Sequence, residues 1–161
     1  SAASDVYKRQ ASAKGFCYGL KLPLIAVNSL DSMVEEFVNQ GFDLIIPLID
    51  ARRMEVYTAF FDGKSGKMIS ETEAKILDEN SFSELADKKI LFIGDGAKKT
   101  QEILNLPNAE FKFDIYPSAK GLIKKSIEKF NLKDFEDVAY FEPFYLKDFQ
   151  GIKKADRVKK Q

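Results

Sequence analysis

Asp50-Ala51-Arg52-Arg53 sets one carboxylate beside two guanidinium groups, with Glu55 and Tyr57 following closely. An acid in that setting could hold magnesium, and the arginines suit ion pairs with nearby acids, bidentate if buried. A second stretch, Gly94-Asp95-Gly96, follows an apolar run and precedes a helical pattern. That order has the shape of a phosphate cradle, because N–H groups at a helix start attract anions. The full G-x-G-x-x-G and the P-loop are both absent, however, and Asp95 would repel a phosphate. A plain tight turn is the competing expectation. Histidine is missing altogether and Cys17 is the sole cysteine. Those two counts exclude Ser-His-Asp and Cys-His catalysis, H-E-x-x-H metal helices, Cys-rich zinc sites and an intrachain disulfide. All-carboxylate magnesium chemistry and lysine chemistry survive.

The elements that must position these groups read as α/β. Residues 45–49 form a continuous apolar run, as in a strand covered on both faces. Residues 55–61, rich in β-branched and aromatic types, predict its hairpin partner. Asp62-Gly63 and Ser65-Gly66 break that strand, and residues 67–77 predict a third antiparallel one. Upstream, residues 11–21 predict a helix with Ala13, Phe16, Cys17 and Leu20 as a core face. Ala11, Gly15 and Gly19 make a small-residue line on that helix. Glycine costs about 1 kcal/mol in a helix interior, so two of them suggest close approach by another backbone. That backbone is either a neighbouring helix of this chain or a partner protein. Pro23 stops the helix, residues 24–27 predict a short buried strand, and Asn28-Ser29 offers an N-cap. Leu30, Met33, Val34, Phe37 and Val38 form the next helical stripe, ended by Gly41.

Further on, residues 81–86 suit a short helix, 89–93 a strand, 97–104 a helix and 109–114 a strand. Pro117 fits the first turn of a helix whose apolar face is Ala119, Leu122, Ile123, Ile127 and Phe130. Its lysines, Lys120, Lys124, Lys125 and Lys129, predict a solvated basic face more than a nucleic-acid surface. Residues 134–149 are rich in aromatic rings, and Pro143 argues against a regular helix there. Those rings are expected to pack and not to stack on bases, because Asp134, Glu136, Asp137, Glu142 and Asp148 alternate with them.

The 161 residues suit one domain or two small subdomains, with 45% apolar and 31% charged residues as in ordinary globular chains. No apolar run approaches the roughly 20 residues that span a bilayer, so no membrane partner is expected. Cysteine usage fits a reducing cytoplasm. Formal charge is zero in total, yet residues 151–161 carry five basic groups against one acid. That basic tail is the segment electrostatically fit to meet a phosphate backbone.

Four stretches together resemble the TsaB family, bacterial subunits of tRNA threonylcarbamoyladenosine (t6A) biosynthesis. They are Ala13-Lys14-Gly15, Pro23 through Leu30, Asp50-Ala51-Arg52-Arg53-Met54-Glu55-Val56-Tyr57, and Glu142-Pro143-Phe144-Tyr145-Leu146. The D-A-R-x-x-E-V-Y stretch with A-K-G upstream carries most of the likeness. The resemblance implies an actin-like/ribonuclease-H-like α/β fold of two related subdomains. Under it, residues 1–10 stand as a leader or junction, 11–44 as the remnant of a truncated first subdomain, 45–150 as a complete second subdomain, and 151–161 as the tail.

The same resemblance implies a non-catalytic subunit without a cofactor of its own. Its partners would be the TsaD-like catalytic paralogue and the TsaE-like ATPase, with tRNA reached indirectly through the complex. Ala11, Lys14, Gly15, Tyr18 and Gly19 would form the partner interface. A homodimer is the other arrangement that an uncovered helix face allows. Catalytic members hold their metal with paired histidines and close glycine-rich turns around phosphates. Here Asp50, Arg52 and Arg53 occupy the corresponding hairpin tip, where Arg52 or Arg53 should pair with Glu55 or Asp50. The alternative from another class is a nucleotide-binding phosphotransferase of the same fold, built on Gly94–Gly96 and magnesium-holding acids.

Overall fold

A computed structural model of the chain describes residues 2–146. Strand β1 (Leu44–Asp50) is the axis of a six-stranded mixed sheet. Its apolar run is buried on both faces, and Ile45, Ile46 and Leu48 have no exposed surface. It runs antiparallel to β2 (Glu55–Thr58) and β3 (Phe61–Asp62), and parallel to β5 (Ile90–Ile93). β4 (Glu73–Ile76) extends the β2 side and β6 (Ala109–Lys112) the β5 side, giving the order β4-β2-β1-β5-β6. An antiparallel meander continued by two parallel strands agrees with the expected α/β fold.

The sequence reading placed one strand over 55–61, but the structure divides it. The β1–β2 and β1–β3 pairings share one register, Leu48 opposite Thr58 and Ile45 opposite Phe61. Pro47 falls at the intervening gap, and proline has no N–H to donate to a ladder. The freed segment bonds elsewhere, with the Phe60 N–H donating to Ser70 Oγ at 2.8 Å.

Each sheet face carries its own core. On one face Leu30, Met33, Val34 and Phe37 pack over Ile45, Phe61, Leu91 and Ile93. On the other, Phe82, Leu77 and Ala97 cover Ile46, Leu48, Val56 and Phe92. Rings step across this second face from Phe60 to Phe82 to Phe92 to Phe111, with centroids 6.0, 5.2 and 5.1 Å apart. Fully buried apolar side chains of this size contribute about 1.5–3 kcal/mol each, so the sheet core dominates stability.

Two helices, those expected over residues 30–38 and 97–104, are shorter than the periodicity suggested. Helix α2 covers Asp31–Val34 and tightens into a 3-10 turn over Glu35–Phe37. Asn28 Oδ1 accepts the Leu30 N–H at 2.9 Å in the turn just before it, but the helix start at Leu30 has no side-chain cap, so the expected Asn28-Ser29 N-cap is not met. Helix α3 is only Ala97–Gln101, and residues 83–85 form a 3-10 turn. Helix α4 (Ala119–Leu132) is capped by Ser118, whose Oγ accepts from Gly121 N. It crosses α2 at backbone contact, since a Cβ on Gly121 would lie 1.8 Å from the Ser32 carbonyl oxygen. Lys120 and Lys124 reach Glu36 and Glu35 at 2.6 and 2.8 Å, and Lys125 and Lys129 reach Glu128 and Asp134 at 3.5 and 3.0 Å, so every lysine of the expected basic face is paired with an acid.

Two predicted packing faces are not covered among the described residues. Helix α1 runs Ala2–Leu20, well before the expected start at residue 11. Of its four expected core residues only Cys17 is half-buried, while Phe16 and Leu20 are 68% and 64% exposed. Among the described residues no second layer of the fold covers that stripe. Ile123, Ile127 and Phe130 of α4 are likewise exposed, because that helix docks through its Gly121 edge. Residues 24–27 form no strand; Leu24 makes an isolated bridge to Glu136. The expected ring packing near the C-terminal end fails for Tyr140, Phe144 and Tyr145, all exposed. Phe149 and the basic tail lie outside the described residues.

Candidate functional site

The hairpin tip after β1 is held by three bonds of its own. Ala51 N–H donates to Glu55 O at 3.0 Å, Glu55 N–H to Arg52 O at 3.2 Å, and Arg52 N–H to Asp50 Oδ1 at 2.7 Å. The last is the local turn that aspartate side chains favour. Arg52 and Arg53 both take left-handed backbone, at φ 70° and 48°. That conformation costs roughly 1–2 kcal/mol for a residue with a Cβ, so two in succession require support.

Lys99 of α3 supplies it. Its ammonium donates to Asp50 Oδ1 at 2.6 Å, to Arg53 O at 2.9 Å and to Glu55 O at 2.6 Å. All three ammonium protons are thereby used, and the side chain is only 17% exposed. Asp95 adds a second tether, its Oδ1 accepting the Asp50 N–H at 2.8 Å. The hydrogen bond from Lys99 holds the Asp50 carboxyl below the usual carboxylate range. Partial desolvation opposes that shift, and the Arg52 N–H and the lysine charge add to it. The ion pair at Asp50 thus comes from Lys99 and not from a neighbouring arginine. Sequence reasoning missed this lysine. The sequence places Lys98-Lys99 on the 97–104 helix without a role, and the parallel pairing of β1 with β5 brings α3 to the tip.

The same pairing explains the two glycines of Gly94-Asp95-Gly96. A Cβ on Gly94 would meet the Leu48 carbonyl oxygen at 2.2 Å, and Gly94 also has φ +124°. A Cβ on Gly96 would press on Val56 at 2.9 Å. Their N–H groups are bonded within the fold: Gly94 to Lys112 O, Gly96 to Leu48 O, and Ala97 to Gly94 O. A phosphate cradle needs those donors free. Here they close α3 onto the sheet, which is packing work.

Beside the tip, on the other sheet face, lies a cavity of about 500 Å³. Ile49 and Tyr57 form its floor, the 26–30 loop one wall and the 141–146 segment another. Its lining is mainly apolar, and Asn28 Nδ2 donates to Thr72 Oγ1 at 3.0 Å within it. Among the described residues no group of three or more acidic or thiol side chains could hold a metal ion. Of the predicted tip residues, Asp50, Arg52 and Arg53 are exposed, whereas Glu55 and Tyr57 are half-buried.

The helix α1 residues form a separate surface. Ala11, Gly15, Tyr18 and Gly19 are exposed, and nothing lies within 4 Å of a Cβ placed on either glycine. The expectation that these glycines admit a neighbouring helix of this chain is therefore not met among the described residues. Lys14 differs, being half-buried with its Nζ donating to Ala139 O at 3.2 Å. Gln10 Nε2 similarly donates to Phe141 O at 3.2 Å. These two bonds tie one edge of α1 to the C-terminal segment and leave the Tyr18 side outward, 82% exposed.

Comparison with known proteins places this geometry. The family described as TsaD, tRNA N6-adenosine threonylcarbamoyltransferase, matches residues 10–149. The tRNA threonylcarbamoyladenosine biosynthesis protein TsaB of Bacillus subtilis (strain 168) is 31% identical over 86 residues, 51% of this chain and 37% of that protein. The chain thus spans well under half of that relative's length. Two solved structures from Pseudomonas aeruginosa share the fold. One, an uncharacterized protein with similarity to peptidase YeaZ, has a TM-score of 0.70 at 20% identity, over 86% of this chain and 66% of its own. The other, YeaZ, has a TM-score of 0.65 at 19% identity, over 85% and 66%.

Proposed function

We propose, from the premise that this chain belongs to the TsaD family of tRNA N6-adenosine threonylcarbamoyltransferases, that it serves as a non-catalytic scaffold in t6A biosynthesis. In this reading it pairs in the cytoplasm with a TsaD-type catalytic subunit and a TsaE-type ATPase. Threonylcarbamoyl is transferred by the complex to N6 of the tRNA adenosine 3′ to the anticodon, and tRNA is met through that complex.

The observation that carries the reading is the outward face of α1. Tyr18 is 82% and Phe16 68% exposed, and open space surrounds Gly15 and Gly19. A smooth helix face with large apolar groups at its margin suits docking against a second helix. Ala11, Lys14, Gly15, Tyr18 and Gly19 are the residues assigned to that interface. The absence of histidine from the sequence also supports a supporting role over a metal-bearing one. Co-purification tests the pairing. Wild-type chain should retain a purified TsaD-type subunit and Tyr18→Asp should release it with no change in melting temperature; equal retention by both would defeat the assignment.

The nucleotide-binding phosphotransferase reading has less support, because the N–H groups of Gly94, Gly96 and Ala97 already have partners within the chain. Calorimetry with ATP and magnesium separates the two. Saturable micromolar binding by the isolated chain would favour the phosphotransferase.

A further inference from the structure

We propose that the cavity between the 26–30 loop and the 141–146 segment is the seat of this chain's own residues 149–154, which close it in cis. Such closure is independent of the α1 surface on which the scaffold reading rests. The cavity calls for a cover that is apolar in the middle and basic at the margin. Ile49 and Tyr57 lie at its floor, and Phe141, Phe144 and Leu146 stand along one wall. Phe144 and Tyr145 are 75% and 53% exposed, apolar area that a covering segment removes from water at about 25 cal/mol per Å². Glu136 and Glu142 belong to the same lining, and no lysine or arginine does. Neither carboxylate has an ion-pair partner among the described residues.

The chain that continues from this wall has the matching pattern. Leu146 is the last described residue and itself lines the cavity. Phe149 and Ile152 follow it in the sequence, within roughly 10 and 20 Å of Leu146 at full extension. Gly151 stands between them and lets the chain turn back over the opening. Lys153 and Lys154 come next. Their cations suit the two free carboxylates and the ring faces of Tyr57, Phe144 and Tyr145. Residues 147–161 carry six basic groups against two acids, so their charge is opposite to that of the lining.

Connectivity selects this occupant over others. A tethered segment meets the cavity at an effective concentration of roughly millimolar order, whereas a separate basic peptide bears the full entropic cost of association. A phosphate backbone is repelled by a lining with two acids and no base.

Two measurements on the full chain test the closure. The sequence has no tryptophan, so Phe149→Trp introduces a single indole reporter. At low protein concentration that indole should emit to the blue of the urea-unfolded chain and be quenched by acrylamide about threefold less. Adding Glu136→Gln/Glu142→Gln, or Phe144→Ser at an exposed ring, should raise the quenching about twofold. Trypsin gives a readout that needs no indole. Cleavage after Lys153 and Lys154 should be about fivefold slower in wild type than in Phe149→Ser/Ile152→Ser, because a seated segment must open before it is cut. Equal trypsin rates would overturn the closure, as would indole shielding that none of the cavity substitutions changes. Shielding that appears only as protein concentration rises would overturn it in favour of a second copy's segment. Shielding that appears only with added tRNA would overturn it in favour of a phosphate contact.

Discussion

The Lys99 ammonium lies 2.6 Å from the Asp50 carboxylate, 49 positions earlier in the chain. The same ammonium donates to the carbonyls of Arg53 and Glu55, so one side chain fixes both arms of the β1–β2 hairpin tip.

Lys99→Met should therefore cost about 1–2 kcal/mol, the scale of charge-assisted hydrogen bonds discounted for the partial exposure of Asp50. Urea denaturation measures it. A loss below about 0.3 kcal/mol, within the usual scatter of surface substitutions, would mean the clamp does not matter.

Two aspartates should respond to acid in opposite senses. Asp50 has a folded pKa below its unfolded value of 3.8 because of Lys99. It contributes stability that is present above that value and lost as pH falls through the folded pKa. Asp31 is raised above 3.8, first by burial; Lys125 and Lys129 oppose that shift and Glu128 adds to it. Its charge weakens the fold at neutral pH, and the penalty disappears as pH falls through the raised pKa. Asp50→Asn should thus be less stable than wild type at about pH 7, and Asp31→Asn more stable, with both differences shrinking towards about pH 3. Urea melts at the two pH values decide; differences independent of pH would contradict both assignments.

Thr58 is fully buried on β2, and its Oγ1 has no hydrogen-bond partner among the described residues. An unsatisfied buried hydroxyl costs on the order of 1–3 kcal/mol. Thr58→Val keeps the shape and removes the polar atom, and should raise stability by about 1 kcal/mol. A loss of stability in urea melts would reveal a hydrogen-bond partner for that hydroxyl.

Gly94→Ala distinguishes packing from phosphate binding at the Gly94-Asp95-Gly96 turn. The added Cβ meets the Leu48 carbonyl oxygen at 2.2 Å in a backbone already at φ +124°. A loss of about 2–3 kcal/mol without any ligand is expected, from overpacking and strain combined. Unaltered melting with impaired nucleotide binding would restore the cradle.

The D-A-R-x-x-E-V-Y stretch, the buried run behind it and the turn signals of Gly63 and Gly66 were readable because they are local. Apolar alternation, β-branched content and turn chemistry act over a few residues, so β1, β2, β5 and β6 appear near their expected places. The division of one strand into β2 and β3 was less visible. Pro47 announces a missing donor, but only strand pairing says which neighbour loses the bond. For the candidate site, sequence named Asp50, Arg52, Arg53, Glu55 and Tyr57 and expected an arginine at Glu55 or Asp50, but it did not name Lys99, which pairs with Asp50.

What the sequence determined by itself is composition-level chemistry and local form. It has no histidine and one cysteine, a central apolar strand, and an acid-arginine turn behind it. Tertiary structure alone decided which groups meet: Lys99 with Asp50, Gly94 against Leu48, and Gly121 against Ser32. Among the described residues it also left the stripes of α1 and α4 uncovered. The reason is physical. Periodicity records that a face is apolar, whereas burial depends on whether another layer of the fold arrives to cover it.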